Sequence, residues 1–489
     1  MASLEEIRTT RLEKLQKIKE RGMEPYPIVS KKDFDFSELA EDFTAIEKKG
    51  KPISVAGRVM SLRPHGALVF MTLDDGTGIF QALLKRDSIG EEPFSFFNEV
   101  VDIGDFIQLT GTLFVTKRNE KTIEISAWTM LSKSLRPLPE KWEGLKDVEE
   151  RFRRRYLDSL MSKEVRDRFI IRSKVITELR SILDKAGYLE VETPALQPLY
   201  GGASAEPFMT HHNALDMDMY LRISDELYLK RMLVGGFPKV YEIARDFRNE
   251  GIDVTHNPEF TMVEFYEAYS DASKQMAFVE KMLKGIVAKV FKTKILKYNE
   301  HEIDFSNKFQ VVSYFDLLRR YALIPNPESI TREELALQAT QLGVSIAPGD
   351  SIPKLLDVIY KKTARPKIIQ PTFIIDYPIE YLPLAKQNPK QPAFVDAFQL
   401  VAGGIELVKA FSELNDPIDQ AERFAAQEKN KAGGEVDAQP KDDDFIEAME
   451  YGMPPAGGVG IGIDRLVMFL TDTKNIKEVI YFPTMKKRE

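Results

Sequence analysis

The chain has 489 residues, more than one ordinary hydrophobic core accommodates, so two or more domains are expected. It contains no cysteine, which excludes disulfide bonds, thiolate zinc sites and a cysteine nucleophile. The net charge of −8 argues against nucleic acid binding over the surface as a whole. Basic residues nevertheless cluster locally, at 151–155 and along the first helix.

The amino-terminal stretch, residues 4–21, predicts one amphipathic helix. Leu4, Ile7 and Leu12 begin an apolar series at roughly helical spacing, and Gly22 marks its end. The stretch carries acidic residues and no apolar core, so it is not typical of a signal or transit peptide. No run in the chain approaches the roughly 20 apolar residues of a membrane helix. We therefore expect a cytoplasmic location and no membrane partner.

Residues 53–131 change to short strands in which apolar and polar positions alternate. Five such strands in about 80 residues, separated by turns such as Asp75-Gly76, predict a small closed or partly closed barrel. A five-stranded barrel of this kind is the OB-fold, which binds single-stranded nucleic acid. Prolines punctuate residues 136–158, which we interpret as a linker that runs into a helix. Domains are therefore expected at 1–135 and at 159–489.

The second domain is predicted to combine helices with a β-sheet. The predicted elements, in chain order, are a helix at roughly 160–186, a strand at 220–224 with Ser224 as the N-cap of the next helix, a helical insertion at about 312–365, strands at 373–378 and 397–416, a mobile loop at 428–444, and a Gly-rich strand followed by a helix that opens near Asp464. The insertion carries little recognisable chemistry and is expected to pack outside the sheet.

The segment from Ala244 to Tyr269 concentrates the most unusual side chains. It predicts two antiparallel strands joined by a polar loop, with Gly251, Asn257 and Pro258 supplying the turn. Period-two alternation places on one face Arg248 and Glu250 of the first strand, and Phe260, Met262, Glu264 and Tyr266 of the second. An arginine, several carboxylates, a histidine and an aromatic ring suit a ligand with phosphate, a planar base and an ammonium group. A hairpin with a salt-bridged outer face is the alternative.

These residues resemble motif 2 of the class II aminoacyl-tRNA synthetases, in the form found in the lysine-specific branch. Two more stretches follow the order of that family: GYLEVETPAL at 187–196 resembles motif 1, and GGVGIGIDRLVMF at 457–469 resembles motif 3. The resemblance implies an α+β catalytic domain built on an antiparallel sheet flanked by helices, preceded by the OB-fold barrel. It also implies a homodimer through motif 1, with Pro194 at the interface.

The activity implied by this resemblance is ligation of L-lysine to tRNA(Lys) in two steps. ATP first activates the lysine carboxylate to an adenylate, with Mg2+ as the cofactor, and the lysyl group then passes to the terminal adenosine of the tRNA. Neither step needs a protein nucleophile, in agreement with a chain that lacks cysteine. The rate must then come from positioning and from charge neutralisation at phosphorus.

Matching to the family position by position implies roles for individual residues. Arg248 would bridge the lysine carboxylate and the α-phosphate, and Arg465 would hold the γ-phosphate, so both are expected to be catalytic. The other lysine-binding residues implied are Gly202, Glu226, Glu264, Tyr266, Lys409, Phe411 and Glu413, and the ATP-binding residues are Glu250, His256, Asn257, Phe260 and Glu406 with both arginines. In the barrel, Phe70 would stack on an anticodon base while Gln81 and Glu120 bond to base edges, unless Phe70 belongs to the core.

The chain departs from the bacterial pattern of this family at three positions. Thr255 stands where many relatives carry arginine, Gln399 where a magnesium-binding glutamate is usual, and Lys409 where an asparagine is usual. Glu406 is then the surer metal ligand, and we expect magnesium to be required but held by fewer protein oxygens. Strict alternation also places Glu406 on the opposite face from Lys409, so a β-bulge or a twist is needed if both line one site.

A ligand with two ammonium groups requires several carboxylates in one pocket, so we expect raised carboxylate pKa values when no ligand is bound. Three alternatives stay open. An aspartyl- or asparaginyl-tRNA synthetase shares this domain plan, but its substrate needs cationic groups where this chain offers Glu413 and Tyr266. A non-catalytic paralogue that binds RNA or ATP is favoured only by Gln399 and Lys409. A lysyl ligase that acts on protein is disfavoured by the barrel.

Overall fold

The computed structural model describes residues 3–139, 145, 147–346, 351–432 and 440–488. The chain divides into two compact units, Met1–Gly144 and Leu145–Glu489. The predicted linker at 136–158 spans this division, and residues 140–144 and 146 of it lie outside the described part. Its carboxyl-terminal portion, from residue 148 onward, is helical.

The first unit contains the five-stranded barrel that the sequence predicts. Its strands are β1 (Ile53–His65), β2 (Leu68–Asp74), β3 (Ile79–Lys85), β4 (Phe106–Val115) and β5 (Lys121–Ser132), and its helices are α1 (Leu4–Glu20), α2 (Phe36–Glu41), α3 (Phe43–Glu47), α4 (Arg86–Ile89) and α5 (Glu91–Val100). The strands pair in the order β1-β2-β3-β5-β4. Strand β1 also pairs antiparallel with β4, and this pairing closes the barrel.

Alternation along the strands decides which side chains fill the barrel. On β2, Val69 and Met71 are buried in the barrel core, whereas Phe70 and Thr72 between them are only half-buried. Successive side chains of a strand point to opposite faces, so the second pair belongs to the outer surface. The outer face of β1, β2 and β3 is therefore the surface on which the predicted anticodon-binding residues are presented.

Helix α1 confirms the predicted amino-terminal helix and is fixed to the barrel unit. The backbone N–H of Glu6 donates to Ser3 Oγ, and the Glu6 carboxylate accepts from the backbone N–H of Ser3, which is a capping box. The buried guanidinium of Arg11 donates to three backbone carbonyl oxygens beyond the helix, between 3.0 and 3.1 Å. Part of the positive charge of this helix therefore serves internal contacts.

The second unit is a mixed α and β structure. Its strands are β6 (Leu189–Glu190), β7 (Leu196–Gln197), β8 (Met209–His212), β9 (Met217–Leu221), β10 (Lys239–Phe247), β11 (Glu259–Ala268), β12 (Ile295–Tyr298), β13 (His301–Asp304), β14 (Gln310–Ser313), β15 (Thr372–Ile375), β16 (Ala397–Ala402), β17 (Ile405–Ser412) and β18 (Ala456–Gly462). Its α-helices are α6 (Val148–Arg153), α7 (Arg155–Met161), α8 (Lys163–Lys185), α9 (Glu226–Val234), α10 (Ala272–Ile286), α11 (Tyr314–Leu317), α12 (Arg332–Gln341), α13 (Ile352–Thr363), α14 (Pro417–Ala432), α15 (Asp443–Glu450) and α16 (Ile463–Leu470).

An eight-stranded sheet with the order β14-β15-β16-β17-β18-β11-β10-β6 organises this unit. The pairs β14–β15 and β10–β6 are parallel, and the pairs between them are antiparallel, as the predicted fold class requires. Val263 and Phe265 of β11 face a core formed with α8, α10 and α16. The alternate positions of β11, including Glu264 and Tyr266, therefore face the opposite side, where α9 packs.

The basic cluster at 151–155 is neutralised within the unit. Arg153 and Arg154 pair with glutamates one helical turn earlier, at 2.6 and 3.0 Å. Arg151 and the buried Arg155 both pair with Asp158, at 2.9 and 2.7 Å. These arginines therefore stabilise α6 and α7, and their charge is largely compensated by local carboxylates.

The predicted single strand at 397–416 is instead a hairpin, so that prediction is wrong. Gly403 and Gly404 have positive φ values of 57° and 76° and form a two-residue turn between β16 and β17. Such φ values favour glycine, and paired glycines are a typical hairpin turn. The apolar residues on both sides of the turn concealed it in the sequence.

Two further predictions need correction. The strand predicted at 220–224 ends at Leu221, and Asp225 rather than Ser224 occupies the N-cap of α9, although Ser224 Oγ accepts from the backbone N–H of Glu226 at 3.2 Å. The loop predicted at 428–444 is helical at both ends, because α14 extends to residue 432 and α15 begins at Asp443 with Asp442 as its N-cap, while residues 440–442 have no regular structure. Residues 433–439 lie outside the described residues.

Candidate active site

A cavity of about 480 Å³ lies over the face of the sheet formed by β11, β17 and β18. Fourteen of the fifteen side chains or glycines predicted to bind lysine, ATP or metal line it: Gly202, Glu226, Arg248, Glu250, His256, Asn257, Phe260, Glu264, Tyr266, Gln399, Glu406, Lys409, Phe411 and Arg465. The remaining residue, Glu413, lies behind the cavity wall. Segments far apart in the chain are thus brought to one site by the antiparallel sheet.

Arg248 was expected on a strand, but β10 ends one residue earlier, at Phe247. Arg248 and Glu250 therefore belong to the loop that follows, and the prediction that they share a strand face is wrong. The backbone N–H of Arg248 still donates to Pro258 O at 2.8 Å, and its guanidinium donates to Ile223 O at 3.2 and 3.3 Å. The guanidinium carbon also lies 5.0 Å from the centroid of the Phe260 ring. These contacts hold Arg248 over the cavity.

Arg465 is oriented by two residues of the loop before β11. Its Nη2 donates to His256 Nε2 at 2.8 Å, and its Nε lies 3.4 Å from Thr255 O. Since a guanidinium only donates, His256 Nε2 accepts, and the proton is on Nδ1, which contacts the Asp253 carboxylate at 2.8 Å. Burial lowers the pKa of Arg465. Both partners of the guanidinium are neutral acceptors, so an anion that enters the cavity can replace them.

The residue before Arg465 anchors this end of the site to the core. Asp464 accepts from the Arg172 guanidinium of α8 at 2.6 Å and from the backbone N–H of Thr261 at 2.7 Å. Arg172 also donates to Thr261 Oγ1 at 3.0 Å. Helices α8 and α16 and strand β11 are therefore locked together directly beneath the cavity.

A second end of the cavity is acidic. Glu264 is buried, and its two carboxylate oxygens accept from Ser224 Oγ at 2.9 Å and from the Tyr266 hydroxyl at 3.0 Å. Burial, followed by the charges of Asp246 and Glu226, raises the pKa of Glu264 to about 8. This confirms the expectation that carboxylates gathered in one pocket have raised pKa values.

Glu413 contributes to this acidic end from behind the cavity wall. It is fully buried next to Gly458 and Tyr266, which line the cavity, and its Oε2 lies 2.5 Å from Lys230 Nζ. Burial raises the pKa of Glu413 well above its usual range, against the opposing effect of Lys230. Direct contact between Glu413 and a ligand in the cavity would require a small movement of these side chains.

Two buried aspartates lie under the same region. Asp225 and Asp246 are both inaccessible to solvent, and Arg222 lies 3.3 Å from the first and 3.7 Å from the second. Burial, followed by the charge of Asp246, raises the pKa of Asp225 to about 10. Burial also raises the pKa of Asp246 to about 6, against the effects of Arg248 and Arg222. Protonation of Asp225 therefore reduces the negative charge of this aspartate pair near Arg248.

Gln399 and Lys409, two of the departures from the family pattern, are direct cross-strand partners on β16 and β17. The Tyr377 hydroxyl donates to Gln399 Oε1 at 2.9 Å. Burial lowers the pKa of Lys409, with Glu406 opposing that shift, although solvent still reaches the side chain through the cavity. Compared with the pattern expected from the family resemblance, this pair of neighbouring residues has one more positive charge and one fewer negative charge.

The predicted β-bulge is present in β17. Strand pairing passes from Leu400 with Val408 directly to Val401 with Glu406, so Leu407 is the extra residue. Beyond the bulge, Glu406 lines the cavity together with Lys409 and Phe411. The sheet therefore resolves the alternation conflict in the way that the sequence requires.

The described residues include no group of three or more histidine or acidic side chains placed to hold a metal ion. Glu406 is nevertheless a carboxylate in the cavity wall, on the side that also carries Arg465 and Lys409. Mg2+ in nucleotide sites is commonly held by one or two carboxylates and by the phosphates of the substrate. The residues present fit a magnesium ion bound in that way.

The barrel unit presents its own candidate surface. Phe70 lies between Arg63 and Leu83 in the cross-strand register, outside the buried core, so its assignment to the core is not supported. Gln81 accepts from Arg63 at 3.2 Å and donates to Thr122 Oγ1 at 2.9 Å. A half-buried ring on the outer face, with a guanidinium and an amide on neighbouring strands, is a suitable surface for an unpaired base.

Glu120, the third predicted anticodon contact, is exposed in the turn between β4 and β5. Its backbone carbonyl accepts from Thr122 Oγ1 at 3.1 Å, and Thr122 Oγ1 in turn accepts from Gln81. The backbone of Glu120 is therefore linked to the Gln81 side chain through Thr122.

Comparisons with known proteins agree with this geometry. Residues 147–486 match the family described as tRNA synthetases class II (D, K and N), and residues 53–131 match the OB-fold nucleic acid binding domain. A lysine–tRNA ligase from Syntrophomonas wolfei is 46% identical over 99% of this chain and 98% of its own length. The lysine–tRNA ligase from Moorella thermoacetica is 45% identical over 99% of this chain and 98% of its own length. The one from Aquifex aeolicus is 47% identical over 96% of this chain and 76% of its own length.

The chain belongs to the lysine–tRNA ligase family of class II synthetases. This membership confirms the predicted resemblance and fold. In the described part of the chain, the structure contains no helix that could span a membrane.

Sequence reasoning within this family missed residues that the fold brings to the site. Lys230 follows Glu226 by one helical turn, and Asp357 and Lys361 of α13 line the cavity although they belong to the predicted insertion. A signal was present in both cases, since each lysine is four residues from a carboxylate on a predicted helix. Such pairs usually lie on exposed faces, so neither the burial of Lys230 nor the place of Asp357 and Lys361 in the cavity wall was evident.

We predict that Gly458 tolerates no side chain, whereas its neighbour on the same strand face does. A Cβ at Gly458 would lie 2.0 Å from Glu413 Oε1 and 2.4 Å from a Tyr266 ring carbon, but at Gly460 the nearest atom is 3.9 Å away. Overpacking typically costs about 1–3 kcal/mol, so Gly458→Ala should lower the thermal unfolding temperature and Gly460→Ala should leave it nearly unchanged. Equal melting curves for the two variants would contradict this view of the cavity floor.

Proposed function

We propose that this protein ligates lysine to tRNA and that the cavity described above is where ATP activates the amino acid. The arrangement of charge within one cavity carries the proposal. Arg248 and Arg465 lie on the side suited to phosphate, while Glu226 and Glu264, with Glu413 behind them, form a side suited to ammonium groups. An amino acid with two ammonium groups and a nucleotide together complement both sides.

The acidic end distinguishes lysine from the substrates of related synthetases. Glu226 and Glu264 are assigned to the α-ammonium, with the backbone at Gly202 beside them, since a Cβ added at Gly202 would lie only 3.1 Å from Glu226 Cβ and 2.9 Å from Ser224 Oγ. The ε-ammonium is assigned to the deeper region near Tyr266, Phe411 and Glu413. An aspartate side chain would meet the buried carboxylates of Glu264 and Glu413 there, and the Lys230 ammonium beside them is already paired with Glu226 and Glu413.

The nucleotide is assigned to the opposite end. The Phe260 ring and His256 would bracket the adenine, with Glu250 and Asn257 beside it, and Arg465 would hold the γ-phosphate. Arg248 lies between the two ends, so its guanidinium can contact both a carboxylate and a phosphate. Guanidinium groups suit this task because they make two parallel charge-assisted hydrogen bonds. Lys409, cross-strand from Gln399, would add a third cation near the reacting groups.

Activation then needs positioning rather than a protein nucleophile. A lysine carboxylate oxygen forms a bond to the α-phosphorus as the bond to pyrophosphate breaks, and the products are lysyl-adenylate and pyrophosphate. Arg248 would neutralise charge on both reactants and hold them in line. In the second step a ribose hydroxyl of the tRNA replaces AMP at the carbonyl carbon. Both steps rely on fixed charges in a shielded cavity.

Magnesium is assigned to the phosphate end with Glu406 as its protein ligand, and it would neutralise phosphate charge there. The tRNA is assigned additionally to the barrel, with Phe70, Gln81 and Glu120 contacting the anticodon. We further propose a cytoplasmic homodimer through motif 1. In support, Pro194 is exposed, as are Leu189 and Leu196, and β6 of this segment forms an edge of the large sheet.

The proposed activity is tested by ATP–pyrophosphate exchange with lysine, arginine, aspartate and asparagine supplied separately. Lysine alone should drive exchange. Glu264→Gln should lower kcat/KM for lysine by about 10–100-fold with little change in the KM for ATP, since a charge-assisted hydrogen bond is worth about 1.5–3 kcal/mol. Glu259→Gln, an exposed glutamate on the same strand, is the matched control and should behave like the wild type. Exchange driven by aspartate, or none with any amino acid, would refute the proposal.

We predict that exchange requires magnesium despite the single clear carboxylate ligand. Activity should rise from near zero as Mg2+ is titrated into metal-free enzyme, and Glu406→Gln should shift the midpoint to higher Mg2+ concentration. The reason is that phosphate charge must be neutralised and Glu406 supplies part of the binding. Full activity in the presence of excess chelator would show that Lys409 and the arginines suffice without the metal.

We predict that Phe70→Ala weakens tRNA recognition without affecting lysine activation. Loss of one stacked base typically costs about 1–3 kcal/mol, so the KM for tRNA in aminoacylation should rise by about 5–150-fold. Phe70→Tyr retains the ring and should stay close to wild type, and exchange rates should be equal in all three proteins. An unchanged tRNA KM for Phe70→Ala would remove Phe70 from the recognition surface.

A further inference from the structure

Lys230 is a fully buried cation that the proposed reaction does not yet use. It lies on α9, and its Nζ is 2.6 Å from Glu226 Oε1 and 2.5 Å from Glu413 Oε2. The ammonium also lies 5.4 Å from the centroid of the Phe411 ring. Its two partners are carboxylates assigned to the substrate's two ammonium groups, and Phe411 lines the same cavity. The protein thus carries its own ammonium group at the acidic end of the site.

Stability alone is a weak explanation for such a group. Buried ion pairs often contribute little net stability, because removing both charges from water offsets their attraction. Burial opposes the charge of Lys230, but Glu226 and Glu413 outweigh this effect and raise its pKa. Lys230 is therefore held as a permanent positive charge next to the substrate-binding carboxylates.

The charges at this end can be counted. Glu226, Glu264 and Glu413 carry three negative charges when ionised, and Lys230 carries one positive charge, which leaves a net charge of −2. The lysine substrate brings two ammonium groups. With Lys230 the acidic end therefore balances its substrate, and without it one carboxylate would be left unpaired in a buried position, which is costly.

We propose that Lys230 is a positioning and specificity-determining residue that sets the charge of the lysine subsite and favours the ionised form of Glu226 and Glu413 when the substrate binds. This inference rests on the proposed lysine activation. Lys230 does not touch the reacting atoms and acts through the two glutamates. Because Lys230 neutralises one of the three carboxylate charges, the remaining two match the two ammonium groups of the substrate and no further cation.

Every charged group around this subsite affects its titration. Glu226 and Lys230 come from α9 and Asp225 from its N-cap, Glu264 and Tyr266 from β11, and Lys409 from β17. Glu413 comes from the segment after β17 and Asp246 from β10, while Arg222 offsets the two aspartates. Removing the Lys230 charge would raise the carboxylate pKa values further, because Lys230 is the group that opposes the raised pKa of Glu413. The carboxylates would then ionise, and bind lysine, only at higher pH.

The test compares Lys230→Met with Arg231→Met across pH 6.5–8.5 by ATP–pyrophosphate exchange. Arg231 is next on the same helix, but its ion pair is with Asp442, away from the subsite. Lys230→Met should move the pH midpoint of kcat/KM for lysine upward by about one unit, which is about a tenfold loss at pH 7. The KM for ATP should change by less than about twofold, since the nucleotide end is untouched. Arg231→Met should match the wild type.

A second variant separates charge balance from folding. Lys230→Met combined with Glu413→Gln removes both partners and restores a net charge of −2, so its pH midpoint should return toward that of the wild type even though lysine binds more weakly. The same midpoint in the single and double variants would overturn the proposal, as would an unshifted midpoint in Lys230→Met. Misfolding of both variants would also overturn it, since Lys230 would then serve the fold. Absence of lysine-dependent exchange in the wild type would instead remove the proposed function itself.

Discussion

The structure depends on the cost of burying like charges next to one another. Glu226, Glu264 and Glu413 are gathered under one face of an antiparallel sheet, shielded from water, and repel one another there. The fold limits this cost in two ways: protonation of Glu264 and Glu413, which their raised pKa values favour, and the buried ammonium of Lys230. A ligand with two ammonium groups supplies what the site still lacks. Selectivity for lysine then follows from electrostatics that exist before the substrate arrives.

The fold makes this arrangement possible by assigning different tasks to the two faces of β11. Val263 and Phe265 build the core with α8, α10 and α16, while Glu264 and Tyr266 face the cavity. Asp464 ties the same strand to Arg172 beneath the nucleotide end. The bases of both charged ends are thus rigid. Arg248 lies just beyond the end of β10, and Arg465 lies in the first turn of α16. Rigid support under charged side chains reduces the reorganisation needed during reaction.

Patterns of short range were predictable from the sequence. Alternation on β11 placed Glu264 and Tyr266 together, the conflict between Glu406 and Lys409 required the bulge that β17 has, and motif spacing gave the fold. Features that depend on tertiary burial were not predictable. Lys230 has the sequence pattern of an exposed helical ion pair, and only the packing of α9 against the sheet shows that it is buried. Likewise, Gly403-Gly404 was concealed within an apolar run, and Arg248 proved to follow its strand.

The most direct test of the central claim is calorimetry of lysine binding at pH 7 in buffers of different ionisation enthalpy. The account predicts net release of protons to the buffer, because glutamates with raised pKa values must ionise to receive the two ammonium groups. The observed enthalpy should therefore vary with the buffer. A binding enthalpy that is the same in every buffer would show that the carboxylates are already ionised, and it would contradict the account.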